Sequence, residues 1–348
     1  MAPVRWPIGH SLARAGDRVR RRAAACLVVM AGLALPVASA TAADPPTGIF
    51  SLIVENDLFY GNDRNYTNGL RLSWLSAPDT TPDWLKEGAT LLPLFAVGGD
   101  VRFTVSAGQN MYTPADISLR HPPATDRPYA GWTYGSIGIV SETGRRLDQL
   151  ELALGIVGPQ SYAEHTQAFV HDLIGSQEPN GWDTQLRNEP GLVLTYQRSA
   201  RAYFAESAGH LGFDVTPHAG AALGNVFTYA SGGLTLRVGE DLPLDYGPPR
   251  IQPSLPGSGF FRPAPGATWY VFAGVEGRAV ARNIFLDGNS FRSGPHVDRH
   301  PLVGDFQFGF VLTWNAVRFS YTNVIRTPEF KNQTERDDFG AVSISVQF

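Results

Sequence analysis

Gln167 and His171 stand four residues apart in the segment Thr166-Gln167-Ala168-Phe169-Val170-His171-Asp172-Leu173-Ile174-Gly175. At helical spacing they share one face, so a neutral imidazole is presented with an amide beside it. An imidazole so held can take a proton from water. A lone histidine is more often structural, and the neighbouring amide is what favours chemistry. Three further residues can join it: Asn56 and Asp57 in Glu55-Asn56-Asp57, and Thr67 in Tyr66-Thr67-Asn68-Gly69. Across one hairpin they offer oxygen ligands to a hard cation or donors to an oxyanion. Asn-Asp and Asn-Gly are also common turn residues, so the same letters can serve the backbone alone. A third group, Asp126-Arg127-Pro128-Tyr129-Ala130-Gly131-Trp132, follows Arg120 and His121. Arg120 is a candidate to hold a phosphate or sugar headgroup. Asp126 and Arg127 read as an ion pair fixing a loop, and Tyr129 and Trp132 as interfacial aromatics. No G-x-S-x-G elbow occurs, so a serine nucleophile has no support. Ester hydrolysis can instead use water, a histidine base and a cation or amide.

The start of the chain reads as an export signal. Arg18, Arg20, Arg21 and Arg22 precede an apolar run over residues 23–37, followed by the small-residue sites Ala38-Ser39-Ala40 and Ala40-Thr41-Ala42. The run is shorter than the ~20 residues of a spanning helix, which disfavours an inner-membrane anchor. Residues 1–43 are therefore expected to be a signal peptide and 44–348 the mature domain. That removal takes six of 28 basic and one of 32 acidic residues, leaving 22 against 31 and a net charge of −9. It also removes Cys26, the single cysteine, so disulfides and thiol chemistry are excluded. No basic excess remains to attract nucleic acid.

The mature chain shows no linker. Short segments alternate apolar with polar or small residues and end at Gly, Asn, Asp or Pro. They fall at 49–56, 67–75, 101–109, 133–141, 149–157, 191–197, 211–223, 232–238, 268–281, 304–314, 318–325 and 341–348. This even set predicts an all-β fold, a closed antiparallel transmembrane β-barrel of 12 strands, with a short helix in an extracellular loop. In Val101-Arg102-Phe103-Thr104-Val105-Ser106 and Leu70-Arg71-Leu72-Ser73-Trp74, Arg or Ser faces the interior and the apolar residues face lipid. At the end, Val342, Ile344, Val346 and Phe348 alternate with Ser343, Ser345 and Gln347. A soluble sandwich is the competing reading of alternation alone. With both termini periplasmic, residues 57–66, 110–132, 158–190, 224–231, 282–303 and 326–340 are extracellular, and the three polar groups cluster there. Residues 84–94 read as a short periplasmic helix. The Pro/Gly-rich stretch 239–266 reads as irregular backbone rather than another span.

Taken together, Glu55-Asn56-Asp57, Tyr66-Thr67-Asn68-Gly69, Asp126-Arg127-Pro128-Tyr129-Ala130-Gly131-Trp132 and Val170-His171-Asp172-Leu173-Ile174-Gly175 resemble the LpxR family of outer-membrane lipid A deacylases. The likeness extends over nearly the whole mature chain, including Val271-Phe272-Ala273-Gly274-Val275-Glu276. The terminal Phe348 likewise resembles the signal read by the barrel assembly machinery. The resemblance implies a twelve-stranded barrel in the bacterial outer membrane, expected to be monomeric. It implies removal of the 3′-linked acyloxyacyl chain from lipid A, the lipid anchor of lipopolysaccharide, with dependence on a divalent cation, Ca²⁺. It further implies that His171 is the general base, with Gln167, Asn56 and Thr67 in the active site and Asp57 near the metal. The family's active-site lysine has no clear counterpart, and Arg120 is the nearest cation for substrate. A passive channel, an adhesin or an outer-membrane phospholipase are the rival functions. The first two would need neither His171 nor a metal.

Overall fold

The computed structural model describes residues 48–57, 65–95, 98–207, 210–243, 245–251, 259–262 and 264–348. The signal-peptide expectation lies outside the described residues.

The period-two pattern builds the wall. Leu70 and Leu72 are 40% and 39% exposed, whereas Arg71 between them is 3% exposed. On one late strand Phe306, Phe308, Phe310, Leu312 and Trp314 all point outward. This is the pattern of a barrel whose outer face meets lipid and whose interior is polar. In chain order the strands are β1 (Gly48–Asn56), β2 (Asn65–Ser76), β3 (Asp100–Thr113), β4 (Ala130–Glu142), β5 (Arg146–Val157), β6 (Glu189–Ala200), β7 (Tyr203–Glu206), β8 (Leu211–Gly224), β9 (Phe227–Glu240), β10 (Ala264–Asn283), β11 (Leu302–Asn315), β12 (Val317–Arg326) and β13 (Asp337–Gln347). Among the described residues the α-helices between them are α1 (Asp83–Thr90), α2 (Ala163–Ile174) and α3 (Ile284–Asp287). Neighbouring strands pair antiparallel, β1 pairs with β13, and β6 pairs with β8, so the ring closes.

Twelve strands make the ring, as the alternation predicts. The short β7 pairs only with β8, past a break at residues 201–202, and continues the line of β6. Inside the wall, Ser345 Oγ meets Ser51 Oγ at 2.8 Å and Ser343 Oγ meets Ser320 Oγ at 2.6 Å. The serines between the terminal apolar residues thus join β13 to its neighbours from within.

Several boundaries differ from expectation. β3 runs on to Thr113 and β4 begins at Ala130, so the second extracellular connection is shorter than 110–132. Only residues 225 and 226 separate β8 from β9. Asn68-Gly69 lies within β2 and is not a turn.

The lumen is filled. Near the extracellular end Trp132, Tyr134, Phe227 and Phe285 pack together, with Trp132 stacked on Tyr134 at 4.3 Å between centroids. The irregular backbone expected over 239–266 does leave β9 at the periplasmic end, but it then folds back inside the barrel. Asp245 bonds Arg237, accepts from the Tyr270 hydroxyl at 3.0 Å and pairs with Arg318 at 3.3 Å. Farther along, the Arg250 guanidinium donates to Asp305 at 3.3 Å, and the Ile251 N–H donates to Glu55 Oε1 at 2.7 Å. The return lies at the periplasmic end, where Phe260 and Phe261 pack with Ile49, Leu75, Val140 and Leu147. A lone buried ion costs several kcal/mol. Shared carboxylates resolve this: Asp305 is gripped by Arg278 at 2.8 and 3.0 Å and by Arg326 at 2.9 and 3.0 Å.

Candidate active site on the outer wall

The ladder registers place one row of residues across four strands. Asn56 opposes Asn68, Asn68 opposes Met111, and Met111 opposes Gly131. Alternation with the outward Leu70, Leu72 and Val105 puts this row on the outer face. With strands ~4.8 Å apart it spans roughly 14 Å. Tyr66 opposes Tyr112 while Asn68 opposes Met111, so Thr67 is the extra residue of a β-bulge. Its hydroxyl lies 2.6 Å from that of Thr113. Asn56, Asp57 and Thr67 are all buried despite their place at the rim. Gly69 serves a close approach: a Cβ there would overlap the Tyr66 hydroxyl.

α2 lies against this face. Gln109 Nε2 and Thr133 Oγ1 each donate to the Ser161 carbonyl at 2.7 Å, which ties the turn before the helix to β3 and β4. Met111, Ile117, Tyr129, Ala163 and Trp182 form the apolar seam beneath it. The helix buries Ala163, Gln167 and His171, spaced by four, and exposes Phe169 and Leu173. At Gly131 a Cβ would overlap Ser161 Oγ and Ala163 Cβ. Gly131→Val is therefore expected to push α2 off the wall and lower its local stability by about 1–3 kcal/mol, as overpacking does. Faster hydrogen exchange in α2, with β8–β12 unchanged, is the measurement that checks it.

The predicted pair is held by its surroundings. The Gln167 side-chain oxygen accepts from Trp182 Nε1–H at 2.8 Å, and its Nε2 has no hydrogen-bond partner among the described residues. Gly175 caps the helix in the left-handed conformation (φ 63°), and the Ser176 N–H closes on the His171 carbonyl at 2.8 Å. The turn brings the Gln177 carbonyl to 2.5 Å from His171 Nδ1. A carbonyl only accepts, so Nδ1 is the donor of this contact, and in the neutral ring the acceptor lone pair falls on Nε2.

The Asp126-Arg127 group is arranged differently from expectation. Asp126 accepts the Ala115 and Arg127 backbone N–H groups, both at 2.8 Å, and does not pair with the Arg127 guanidinium. Arg127, 1% exposed, instead donates to Glu329 at 3.0 Å and lies 5.4 Å over the Tyr112 ring. Trp132 faces the lumen and Tyr129 lies beneath α2, so neither is an interfacial aromatic. Arg120 is exposed and makes no hydrogen bond or ion pair with the described residues. The buried cation of this region is Arg127. The proline after it and the aromatics that follow, Tyr129 and Trp132, were its sequence signals.

Glu329 lies in the connection between β12 and β13. Burial alone would raise its carboxyl, and Arg127 with Arg326 outweighs that and holds it below its ordinary value. A depressed carboxyl contributes stability that is present above its unfolded value and lost as pH falls through its folded value. Between about pH 4.3 and lower pH, the wild type is therefore expected to lose melting temperature more steeply than Glu329→Gln, as read by thermal scans across that window.

Asp57 follows Asn56 at the end of β1, and the register sets Asn56 opposite Asn68, next to Thr67; the carboxylate, amide oxygen and hydroxyl of these three are hard ligands of the kind Ca²⁺ takes. The cluster of three His, Asp or Glu groups close enough to hold a metal among the described residues, Glu206, His210 and Asp241, lies at the periplasmic edge and is exposed.

A closed twelve-stranded barrel with an apolar outer face, carrying a polar helix face clamped to the outside of its wall, defines a β-barrel membrane protein. The model of the family described as outer membrane protein LpxR matches residues 24–348, and the chain belongs to that family. It is accordingly a protein of the outer membrane. Among solved structures, LpxR from Salmonella typhimurium is 21% identical with a TM-score of 0.70, covering 86% of this chain and 100% of that one. The β domain of the Bordetella autotransporter BrkA is 10% identical with a TM-score of 0.41, covering 88% of this chain and 100% of that one. No curated protein matches the chain.

Proposed function

We propose that this protein is a lipid A deacylase that hydrolyses the ester of the 3′-linked acyloxyacyl chain in the outer leaflet. The observation that carries the reading is the contact of His171 Nδ1 with the Gln177 carbonyl, on the helix face turned to the outer wall, which in the neutral ring makes Nδ1 the donor. Nε2 is then the base. It takes a proton from water, and the resulting hydroxide attacks the ester carbonyl carbon. The Asn56 amide and the Thr67 hydroxyl donate to the oxyanion, and the Gln167 Nε2–H orients the ester or the water. Collapse breaks the carbon–oxygen bond to the sugar, and His171 returns its proton to the departing sugar oxygen. Asp57, with Asn56 and Thr67, would hold a hard divalent cation, Ca²⁺ by family resemblance, which would supply positive charge at the ester carbonyl. Arg120, exposed on its loop, is available to a headgroup phosphate at the rim.

The filled lumen argues against a conduit, and the absence of a serine elbow argues against a phospholipase of the serine type. The test incubates the folded protein with lipid A and, separately, with phospholipid, each with and without chelator, and reads products by mass spectrometry. Loss of one acyloxyacyl chain from lipid A, stopped by chelator, is expected. Release from phospholipid alone, or no release, overturns the reading.

A further inference from the structure

The luminal connection reaches the outer-wall row from behind. Glu55 faces inward at 1% exposure, and Asn56 and Asp57 follow it directly. Its Oε1 is held by the Ile251 N–H at 2.7 Å. Ile251 is itself 1% exposed, and its Cδ1 lies 3.4 Å from where a Cβ on Gly69 would stand. Gly69 is the β2 partner of Glu55, so the missing side chain leaves room for this contact.

Arg250, one residue earlier, touches the other support of the row. It reaches Asp305 at 3.3 Å and Glu276 at 3.8 Å. Asp305 grips Arg326, Arg326 lies 3.8 Å from Glu329, and Glu329 holds Arg127 at 3.0 Å. Arg127 covers Tyr112, whose neighbour Thr113 pairs with Thr67. Two consecutive residues of a segment anchored at the periplasmic end thus touch the end of β1 directly and the end of β3 through an ion-pair chain.

We propose that Arg250 and Ile251 are positioning residues for Asn56, Asp57 and Thr67, and that the luminal connection is the brace that fixes the outer-wall site from inside the barrel. The proposal rests on the deacylase reading. Neither residue touches substrate, because the wall stands between. Strand ends are where local opening is cheapest. A site built on the last residue of β1 and a bulge of β2 has little rigidity of its own, and a misplacement of about 1 Å costs about 10²-fold in rate.

The experiment uses the full-length folded protein, with lipid A as substrate and folding checked by heat-modifiable gel migration. Ile251→Pro removes the N–H that Glu55 accepts. It is expected to lower kcat by about 10²-fold with little change in KM, and Arg250→Ala to lower kcat less. Glu55→Gln keeps a carbonyl acceptor and should retain kcat, whereas Glu55→Ala should fall with Ile251→Pro. A merely structural brace would lower Tm and leave kcat intact at a permissive temperature. Hydrogen exchange over residues 54–57 reads the same contact without substrate: it should quicken in Ile251→Pro while β5 is unchanged. If Ile251→Pro does not fold, Arg250→Ala and Glu55→Ala carry both readouts. Folded variants with wild-type kcat and unchanged exchange at 54–57 overturn the proposal. A wild-type protein inactive on lipid A defeats the deacylase reading instead, and the exchange data then decide the brace alone.

Discussion

His171→Ala is expected to leave a folded barrel that releases acyl chains from lipid A about 10²–10⁴-fold more slowly, the range general-base catalysis supplies. The argument is geometric. The ring lies on the buried face of α2, its Nδ1–H donates to the Gln177 carbonyl, and in the neutral ring Nε2 is the nitrogen that accepts a proton. The fold does not depend on it: the ring of strands closes through β1–β13 and β6–β8, and α2 is fixed by Ser161, Ala163 and Trp182. Loss of rate should therefore come with unchanged heat-modifiable migration and unchanged Tm. Full activity in the folded variant would remove the assignment. His171→Gln, which keeps a polar side chain but no base, should behave as His171→Ala.

The second large effect is at Asp57. Asp57→Ala removes the one carboxylate of the oxygen set at the end of β1, and Asp57→Asn keeps its shape without its charge. Both are expected to lower deacylation by about 10²–10³-fold, the scale of losing a stabiliser of transition-state charge. The distinguishing measurement is a titration with Ca²⁺. The wild type should regain activity after chelation at low added ion, and Asp57→Asn should need far more or fail to recover. Recovery of both at the same ion concentration would place the cation elsewhere.

The wall was legible because its signal is local. Alternation in Leu70-Arg71-Leu72 or in Val342–Phe348 reports directly which face meets lipid, and a closed ring needs no further information than the even set of such segments. The polar candidates were legible for a related reason: a spacing of four places Gln167 and His171 on one helix face whatever the helix packs on. What stayed hidden depends on register or on distant partners. Thr67 reads as the start of a strand, and only the offset between Tyr66–Tyr112 and Asn68–Met111 makes it a bulge. Gly69 after an asparagine reads as a turn, although the Tyr66 hydroxyl is what requires it. Arg127 sits beside Asp126 in the chain but pairs with Glu329, 202 residues away. The segment after β9 reads as irregular from its prolines and glycines, yet composition does not say that it turns inward. Its ion-pair partners, Arg237, Arg318 and Asp305, are scattered over three strands and read separately as luminal charges.

The face of α2 that carries Phe169 and Leu173 points away from the wall, while His171 is pressed toward it. A substrate anchored in the leaflet then arrives sideways, by lateral diffusion in two dimensions, and never from bulk water or through the bore. Turnover should follow the mole fraction of substrate in the bilayer. Diluting it with inert lipid should slow the reaction, while diluting the whole vesicle suspension should not.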